Sequence, residues 1–433
     1  MTAEQQLPEG WTKTTLGEIC EIFDSKRVPL NREQREQRIN NKKTDELFPY
    51  YGATGEVGKI DDYIFDGEFV LLGEDAAPFF EPNKNVAYCV KGKFWVNNHA
   101  HILSSSVLEN LYICHYLNQF NFSSYVSGTT RLKLSQGSMK RIPIIYPTSQ
   151  EIQQAIVNKI ESLFDEIDEG IGRLKTAAQQ IQQYRQSLLK NAFSGELTKE
   201  WRSKHADTLP SENELLAQIQ TTREQHHAQQ LADWQNITIG EVVTISPKKE
   251  KAIDDDTDVS FSSMHLMSSS LSEHLTYEIK KWADVKKGFT VFRNNDVLLA
   301  KITPCFENGK SAVAQDLING IGTGSTEFMV LRCSNQILPK FLYFLVNTPE
   351  FRQAGIHNMT GSVGHKRVPK DFVSTWAFSL PPLAEQTEIV AILESKLTAC
   401  DQLADELAKQ LKQAEQLKQA VLKAAFSGSL LDK

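Results

Sequence analysis

One seven-residue stretch occurs twice in this chain and indicates how the chain is organised. It reads Asn-Ala-Phe-Ser-Gly-Glu-Leu at 191–197 and Ala-Ala-Phe-Ser-Gly-Ser-Leu at 424–430, which places the two copies 233 residues apart. The same separation relates Asp168 to Asp401, and the intervening alignment needs no gap. Repetition at a fixed distance indicates a duplicated chain, and duplicated halves tend to fold with pseudo-two-fold symmetry.

Each copy lies at the C-terminal end of a long segment in which apolar residues recur with the period of an α-helix, forming an apolar stripe. The first stripe advances 36 positions in ten steps from 156 to 192, or 3.6 residues per step, and the second runs over 389–421. Gly195 and Gly428 follow the two stripes as helix stop signals. A narrow stripe on a helix of about 40 residues needs a partner helix, so the pattern predicts that the two copies pair as an antiparallel coiled coil.

The segments outside the stripes predict two bodies of mixed α/β structure. Each body opens on a tryptophan, Trp11 or Trp234, that stands six residues before a Gly-Glu pair. Apolar runs and glycines then predict strands at 68–73 and 296–300, short helices at 111–117 and 341–346, and a glycine-punctuated loop at 51–58. Length differences between the copies collect inside the bodies, whereas the stripes keep their length as a rigid spacer would.

The predicted fold class is therefore α/β, with two pseudo-symmetric mixed α/β domains separated by two long paired helices. The predicted segments are the first body at 1–148, the first helical spacer at 149–198, a polar join at 199–232, the second body at 233–382 and the second helical spacer at 383–433.

Composition is that of a soluble globular protein, with 40% apolar and 23% charged residues. No stretch approaches the ~20 consecutive apolar residues of a membrane span, and the polar N-terminus argues against export. The six cysteines are scattered without a Cys-x-x-Cys pair, which favours reduced thiols in a cytoplasmic protein. The net charge of −7 opposes DNA binding by the chain as a whole, so nucleic-acid contact needs locally concentrated cations.

Two loops at matching places in the bodies concentrate such cations, since neither 111–150 nor 351–370 contains Asp or Glu. Neighbouring Gly, Ser and Thr residues let backbone amides approach phosphate oxygens, although solvated surface charge is the alternative interpretation of each loop. The predicted DNA-binding residues in these loops are Thr129, Arg131 and Lys133 in the first body and Ser362, His365, Lys366 and Arg367 in the second. Further candidates nearer the N-terminus are Lys26, Arg27, Tyr50, Tyr51 and Thr54.

Motifs for catalysis or metal binding are incomplete in this sequence. Segment 52–60 resembles a phosphate-binding P-loop, but Ala53 stands where that motif needs glycine and Ile60 where it needs Ser or Thr. His99 and His101 form a His-x-His pair without a cysteine or carboxylate cluster at metal-ligand spacing, which favours two satisfied structural histidines. The sequence therefore predicts no catalytic residue, no metal site and no cofactor bound by this chain.

Several motifs resemble specificity subunits of type I restriction–modification enzymes, and together they cover most of the chain. Leu-Pro-Glu-Gly-Trp at 7–11 resembles the opening of those subunits, and Leu-Pro-Pro-Leu-Ala-Glu-Gln at 380–386 resembles the start of their second conserved helix. The repeated Ala-Phe-Ser-Gly segments resemble the ends of their two helices, and 51–69 resembles one common class of target recognition domain. The first helix start, at 146–152, lacks the Pro-Pro-Leu-Ala-Glu-Gln form.

The resemblance implies a non-catalytic DNA-recognition subunit. Each body would be a target recognition domain that reads one half of a bipartite double-stranded DNA target. The paired helices would fix the spacing and dock two methyltransferase (modification) subunits, which carry S-adenosylmethionine, while restriction subunits carry ATP and Mg. The alternative is a coiled-coil scaffold whose two bodies bind other proteins, but it leaves the two acid-free basic loops unexplained.

Overall fold

The chain divides into two compact units, of which unit 1 comprises Met1–Thr176 with Leu407–Lys433 and unit 2 comprises Ala177–Glu406. The computed structural model describes residues 7–81, 83–205, 234–248, 253–268, 275–362 and 364–431. The predicted polar join at 199–232 lies outside the described residues from 206 onward. Within the described ranges, no helix has both the length and the apolar character that crossing a membrane requires.

Both units mix helices with strands. Among the described residues the helices are α1 (Leu16–Ile19), α2 (Arg32–Ile39), α3 (Asn110–Gln119), α4 (Gln136–Lys140), α5 (Gln150–Phe193), α6 (Lys199–Lys204), α7 (Ile239–Val242), α8 (Trp282–Val285), α9 (Pro339–Leu345), α10 (Pro349–Asn358), α11 (Lys370–Thr375) and α12 (Leu383–Phe426). The strands of unit 1 are β1 (Trp11–Thr15), β2 (Cys20–Ile22), β3 (Phe48–Gly52), β4 (Gly55–Ile60), β5 (Phe65–Gly73), β6 (Ala87–Val96), β7 (Ala100–Ser105), β8 (Val126–Ser127), β9 (Lys133–Leu134) and β10 (Pro143–Pro147). The strands of unit 2 are β11 (Gln235–Thr238), β12 (Val243–Ile245), β13 (Asp258–Ser262), β14 (Glu278–Lys281), β15 (Thr290–Arg293), β16 (Asp296–Ala300), β17 (Ser311–Val313), β18 (Ile321–Gly324), β19 (Phe328–Cys333) and β20 (Ala377–Leu380).

Each body contains its own sheet built around one copy of the repeated Val-Leu-Leu strand. Unit 1 has a six-stranded sheet with strand order β2-β7-β5-β6-β3-β4, and unit 2 has a four-stranded sheet with order β12-β19-β16-β17. Val-Leu-Leu lies in β5 and in β16, and all six of its side chains are fully buried. Unit 2 adds a second sheet, β14-β13-β18-β15. In each unit a short antiparallel pair, β1 with β10 or β11 with β20, joins the two ends of the body.

The Gly-Glu pair of the opening motif has the same structural role in both units. In α1 and α7 the glutamate closes a capping box with the threonine that precedes the helix. A Cβ on Gly17 would lie 2.9 Å from Cβ of Lys140, and one on Gly240 would lie 2.9 Å from the carbonyl oxygen of Ser374. Glycine is therefore required so that the neighbouring helices, α4 and α11, can approach this closely.

In unit 1 the first part of α5 packs against the last part of α12 and against the body. Ile160 is fully buried in this core, and the ring of Phe426 lies 5.2 Å from that of Tyr112. The Lys418 amine donates to the Asp168 carboxylate at 2.6 Å. A residue early in one helix thus meets a residue late in the other, which is antiparallel pairing.

In unit 2 the last part of α5 packs against the first part of α12, with Leu393 fully buried between them. Arg185 donates to Asp401 at 2.5 Å. Arg185 and Lys418 are 233 residues apart, as are Asp168 and Asp401. Each repeat therefore contributes its acid to one ion pair and its base to the other, and the predicted antiparallel pairing of the long helices is confirmed.

The two helix starts share one contact and differ in another. Gln153 in α5 and Gln386 in α12 each donate from Nε2 to a proline carbonyl just before the helix, at 2.9 and 2.8 Å. Glu385 is fully buried, whereas Ile152, at the matching position, is 43% exposed. The first start therefore keeps the glutamine contact and lacks the buried carboxylate.

The local predictions hold except at 51–58. Strands β5 and β16 and helix α3 cover the runs predicted for them, and α9 covers 341–345 of the predicted 341–346. The predicted loop at 51–58 is wrong, because β3 and β4 pair there as a hairpin in which Gly52 faces Gly55. Gly55 and Gly58 have φ of 132° and 153°. Only glycine adopts such values readily, so these residues serve the hairpin backbone and do not mark a long loop.

Candidate nucleic-acid interface

In unit 1 the predicted basic loop, 127–133, connects β8 to β9 and is fastened to the segment that follows β5. The Leu134 amide donates to the carbonyl of Glu74 at 2.6 Å, and Asp75 forms an isolated β-bridge with Lys133. The loop is thereby held beside the end of β5.

The same segment supplies carboxylates to the cations of the loop. Nη2 of Arg131 lies 3.0 Å from Asp75 Oδ2, and Nζ of Lys133 lies 3.3 Å from Glu74 Oε1. The other oxygen of Asp75 lies 2.6 Å from His99 Nδ1. The Arg131 and Lys133 side chains stay 60% and 54% exposed. The two carboxylates are largely buried, with the Asp75 and Glu74 side chains 17% and 13% exposed, so an incoming anion has to compete with them for the two cations.

Below the loop lies a buried polar network. Arg27, whose side chain is 15% exposed, donates from Nη1 to Glu74 at 2.6 Å. His101 is 1% exposed, with Nδ1 2.6 Å from Asp24 Oδ2 and Nε2 2.9 Å from the carbonyl oxygen of Leu134. A carbonyl oxygen can only accept, so Nε2 of His101 carries a proton. This network supports the loop from inside the body.

Asp24, Glu74 and His101 are the group in the described ranges whose possible metal-ligand atoms all lie within 4.8 Å of one another. Both ring nitrogens of His101 already have hydrogen-bond partners, and the guanidinium of Arg27 occupies Glu74. The donor set therefore serves an internal charge network, and a cation would have to displace it. Burial raises the pKa of Asp24, but hydrogen bonds from His101 and the Ile102 amide, with the nearby Arg27 charge, bring the pKa below its usual value.

In unit 2 the predicted basic loop is fastened in the same manner. Arg367 forms backbone bridges with Thr360, across the loop, and with Ile302, in the segment that follows β16. The amide of Val368 donates to the carbonyl of Lys301 at 2.9 Å. The loop after the helices thus lies beside the end of the Val-Leu-Leu strand in this unit too.

The guanidinium of Arg367 is held by a carboxylate from another part of the chain. Nε and Nη2 donate to the two oxygens of Glu327 at 3.0 and 2.7 Å, and Nη1 donates to the carbonyl of His365 at 3.0 Å. The hydrogen bond from Arg367 lowers the pKa of Glu327, against the effect of burial. Lys366 is exposed, and no described residue hydrogen bonds or ion-pairs with its amine.

Most of the remaining predicted residues meet solvent. The exposed ones are Lys26, Thr54, Thr129, Ser362 and His365. Thr54 lies in the tight turn between β3 and β4, and the Lys26 amine lies 5.1 Å from the ring of Phe23.

Tyr50 does not fit a role in DNA contact. Its side chain is 1% exposed, and its hydroxyl hydrogen bonds with the backbone of Leu30 at 3.2 Å. The guanidinium of Arg35 covers its ring at 4.5 Å. Tyr51 is half-buried, with its ring 5.8 Å from that of Phe94, and the weakly exposed Arg27 is committed to Glu74. Alternation along β3 sends Tyr50 into the core, which composition alone did not reveal.

Sequence reasoning missed the carboxylates that face the basic loops. Glu74 and Asp75 directly follow the Val-Leu-Leu strand of unit 1, and Lys301 and Ile302 follow it in unit 2. The repeat of this strand was a signal that could have located the partner segment in both bodies. Glu327 has no such signal, because it stands 40 residues from Arg367 and just before β19.

Comparison with known proteins assigns a family to this architecture. A family model described as the type I restriction modification DNA specificity domain matches residues 8–175 and 232–413. The chain belongs to this family. This specificity-domain chain is 40% identical over 190 residues to the EcoAI specificity subunit of Escherichia coli, a match spanning 44% of the chain and 32% of that subunit. It is 23% identical to the Escherichia coli EcoDI specificity subunit over 98% of the chain and 90% of that subunit.

Two solved structures share the fold of this specificity-domain chain. One belongs to work on complex assembly and conformational transition of the type I R-M system, with a TM-score of 0.63, 18% identity and coverage of 98% of this chain and 100% of that one. The other is the HsdS subunit from Thermoanaerobacter tengcongensis, with a TM-score of 0.52, 18% identity and 99% coverage of both chains.

Proposed function

We propose that this chain is the DNA sequence-specificity subunit of a type I restriction–modification complex, in which each recognition domain reads one half of a bipartite target. The observation that carries the proposal is the matching position of the two basic loops. Each loop is bridged to the segment after the Val-Leu-Leu strand and exposes two cations, Arg131 with Lys133 or Lys366 with Arg367. Family membership supports the same role, and a protein-binding scaffold gives no reason for this duplication of cations.

We infer that the paired helices set the distance between the half-sites and dock two modification subunits, with restriction subunits joining the complex. S-adenosylmethionine, ATP and Mg then belong to those partners, because this chain offers no complete catalytic motif. The domain limits proposed from the sequence, 1–148 and 233–382 for the recognition domains, keep both long helices outside them. All six thiols are unpaired, which is compatible with work in the cytoplasm beside DNA.

Charge also indicates that the chain acts with partners. The chain has a net charge of −7, and Asp75, Glu74 and Glu327 pair with three of the four cations proposed to contact DNA, Arg131, Lys133 and Arg367. DNA phosphates must displace these acids or bind beside them, so the isolated chain is expected to bind weakly. Modification subunits supply the remaining phosphate contacts in this proposal.

The test uses the full chain with its modification subunits and a DNA duplex that carries the sequence methylated in cells making both proteins. The double variant Arg131→Ala, Lys133→Ala should bind more weakly across sequences, and its salt slope should fall by about one for each phosphate that the variant no longer neutralises. Lys84→Ala, Lys91→Ala is the matched control, since both lysines are exposed and paired with glutamates elsewhere in unit 1. Unchanged affinity and salt slope in the first variant would contradict the proposal.

A further inference from the structure

Arg367 is held more firmly than the other cations of the two loops. A guanidinium has five N–H donors, and three of them are used by the two oxygens of Glu327 and the carbonyl of His365. One N–H remains on Nη1 and one on Nη2, while the side chain is 45% exposed. Two donors, one on each terminal nitrogen, therefore have no partner among the described residues, on a group that still meets solvent.

The supports of Arg367 lie at the ends of two neighbouring strands. Glu327 directly precedes β19, and Ile302, which bridges to Arg367, follows β16. The two strands are hydrogen-bonded partners, with Ala300 facing Phe328. A side chain held by residues next to the ends of paired strands keeps its direction better than one on an unsupported loop, and this is the support that precise recognition needs.

Pairing with Glu327 changes what Arg367 can recognise. The carboxylate cancels its net charge, which weakens the long-range attraction to phosphate. Its two remaining donors keep a fixed planar geometry, and such a fork matches the O6 and N7 acceptors of guanine in the major groove. Little side-chain freedom is left to lose on binding, so the geometry favours a base edge over a mobile phosphate.

Lys366, the neighbouring residue, has the opposite character. Its amine is exposed, and no described residue pairs with it. A flexible ammonium is a point charge with rotatable donors, which suits phosphate oxygens and carries no sequence information. Arg131 in unit 1 lies between the two cases, because it is 60% exposed and has one carboxylate oxygen of Asp75 at 3.0 Å.

We propose that Arg367 reads a guanine in the half-site bound by unit 2, that Glu327 is its positioning residue, and that Lys366 contacts phosphate. This inference rests on the proposed function. It assigns base readout and phosphate contact to adjacent residues of one loop, so the two roles can be separated by experiment.

The experiment selects bound duplexes from a randomised DNA library with the full chain and its modification subunits, and compares variants. Arg367→Ala and Arg367→Lys should lose the preference for guanine at one position of one half-site by roughly 5- to 150-fold. Arg367→Lys keeps the charge and should leave the salt slope unchanged. Lys366→Ala should weaken all sequences, lower the salt slope by about one and leave the motif intact.

Glu327 is tested by its effect on the same position. Glu327→Gln should relax the guanine preference at that position, and Glu327→Asp should keep more of that preference than Glu327→Gln does. The preference at the other half-site should stay unchanged in both variants, which shows that the complex is folded. The inference is overturned if Arg367→Lys keeps every base preference, or if it weakens all sequences alike. It is also overturned if the position that relaxes is not a G·C pair. A wild-type complex that selects no two-part motif would instead refute the proposed function.

Discussion

Replacing Glu385 with glutamine should destabilise unit 2, because this one carboxylate joins three segments of the unit. Its Oε1 accepts hydrogen bonds from Arg202 and, at 2.6 Å, from the Thr198 hydroxyl, and its Oε2 accepts from Trp234 Nε1 at 2.9 Å. Glu385 is fully buried at the start of α12. The partners come from the segment after α5, from α6 and from the start of the second body.

The magnitude follows from what glutamine cannot replace. Its amide has one oxygen and one NH₂ group, so either Trp234 or Arg202 would face a donor in place of an acceptor. Breaking a buried ion pair costs about 3–5 kcal/mol, and an orphaned donor costs about 1–3 kcal/mol. Arg202 is 15% exposed and also donates to the carbonyl of Gly195, which reduces the loss. We expect the free energy of unfolding to fall by about 2–4 kcal/mol, which lowers Tm by roughly 5–15 °C.

The assay is thermal unfolding of the full chain, followed by circular dichroism and by tryptophan fluorescence. Glu388→Gln is the matched control, since it makes the same charge change three residues further along α12 at a partly exposed site. The double variant Glu385→Leu, Arg202→Met should cost less than the sum of the single changes, because neither buried charge is left without a partner. A Tm for Glu385→Gln within 1–2 °C of the control, as with an ordinary surface substitution, would refute this reasoning.

Three further predictions follow from single sites. Gly172→Ala should raise the free energy of unfolding by about 0.5–1 kcal/mol, because an added Cβ in α5 meets nothing within 4 Å. Gly322→Ala should lower the free energy of unfolding, because its Cβ would lie 2.0 Å from Phe292. Chemical denaturation measures both, and destabilisation by Gly172→Ala would contradict the first expectation. Because the pKa of Asp24 is lowered in the folded protein, its carboxylate stabilises the fold at pH values above its unfolded pKa of about 3.9, and this stabilisation is lost as the pH falls through the folded pKa. Asp24→Asn should therefore flatten the acid side of the plot of stability against pH. An unchanged plot would contradict this prediction. Under the proposed function, four residues inserted at 403–406 lengthen α12 by about 6 Å and should widen the gap between methylated half-sites by about one or two base pairs. Sequencing of methylated sites tests this. An active variant with the original gap would show that the helices do not set the spacing.

The long helices could be predicted because their signal is local and repeated. An apolar residue every 3.6 positions over 156–192 fixes one face of a helix whatever surrounds it. The hairpin at 51–58 could not be predicted so simply, because its glycines have positive φ within paired strands, where loops and hairpins share the same residues. Tyr50 is buried because of its position in β3, and the residues next to it in the sequence do not indicate that position.

The candidate interface was predictable in its cations and not in its acids. An acid-free stretch in the sequence says nothing about which residues fold against it, and Arg131 and Arg367 both meet a carboxylate that lies far from them along the chain. Ion pairs across long sequence separations leave no periodic or compositional trace. The predicted DNA contacts therefore remain predictions, with the positions of their side chains now defined.

The acids beside the basic loops have a consequence for specificity that follows from how DNA is bound. Non-specific affinity comes almost entirely from phosphate contacts, and it grows with every unpaired cation that faces the duplex. Asp75 and Glu327 reduce that contribution at Arg131 and Arg367, while leaving donors of both guanidiniums exposed. A correct base edge can use those donors without removing the acid, whereas a phosphate competes with it directly. On the proposed function, neutralising these arginines weakens binding to wrong sequences more than binding to the right one, so a net charge of −7 is compatible with a protein whose task is discrimination.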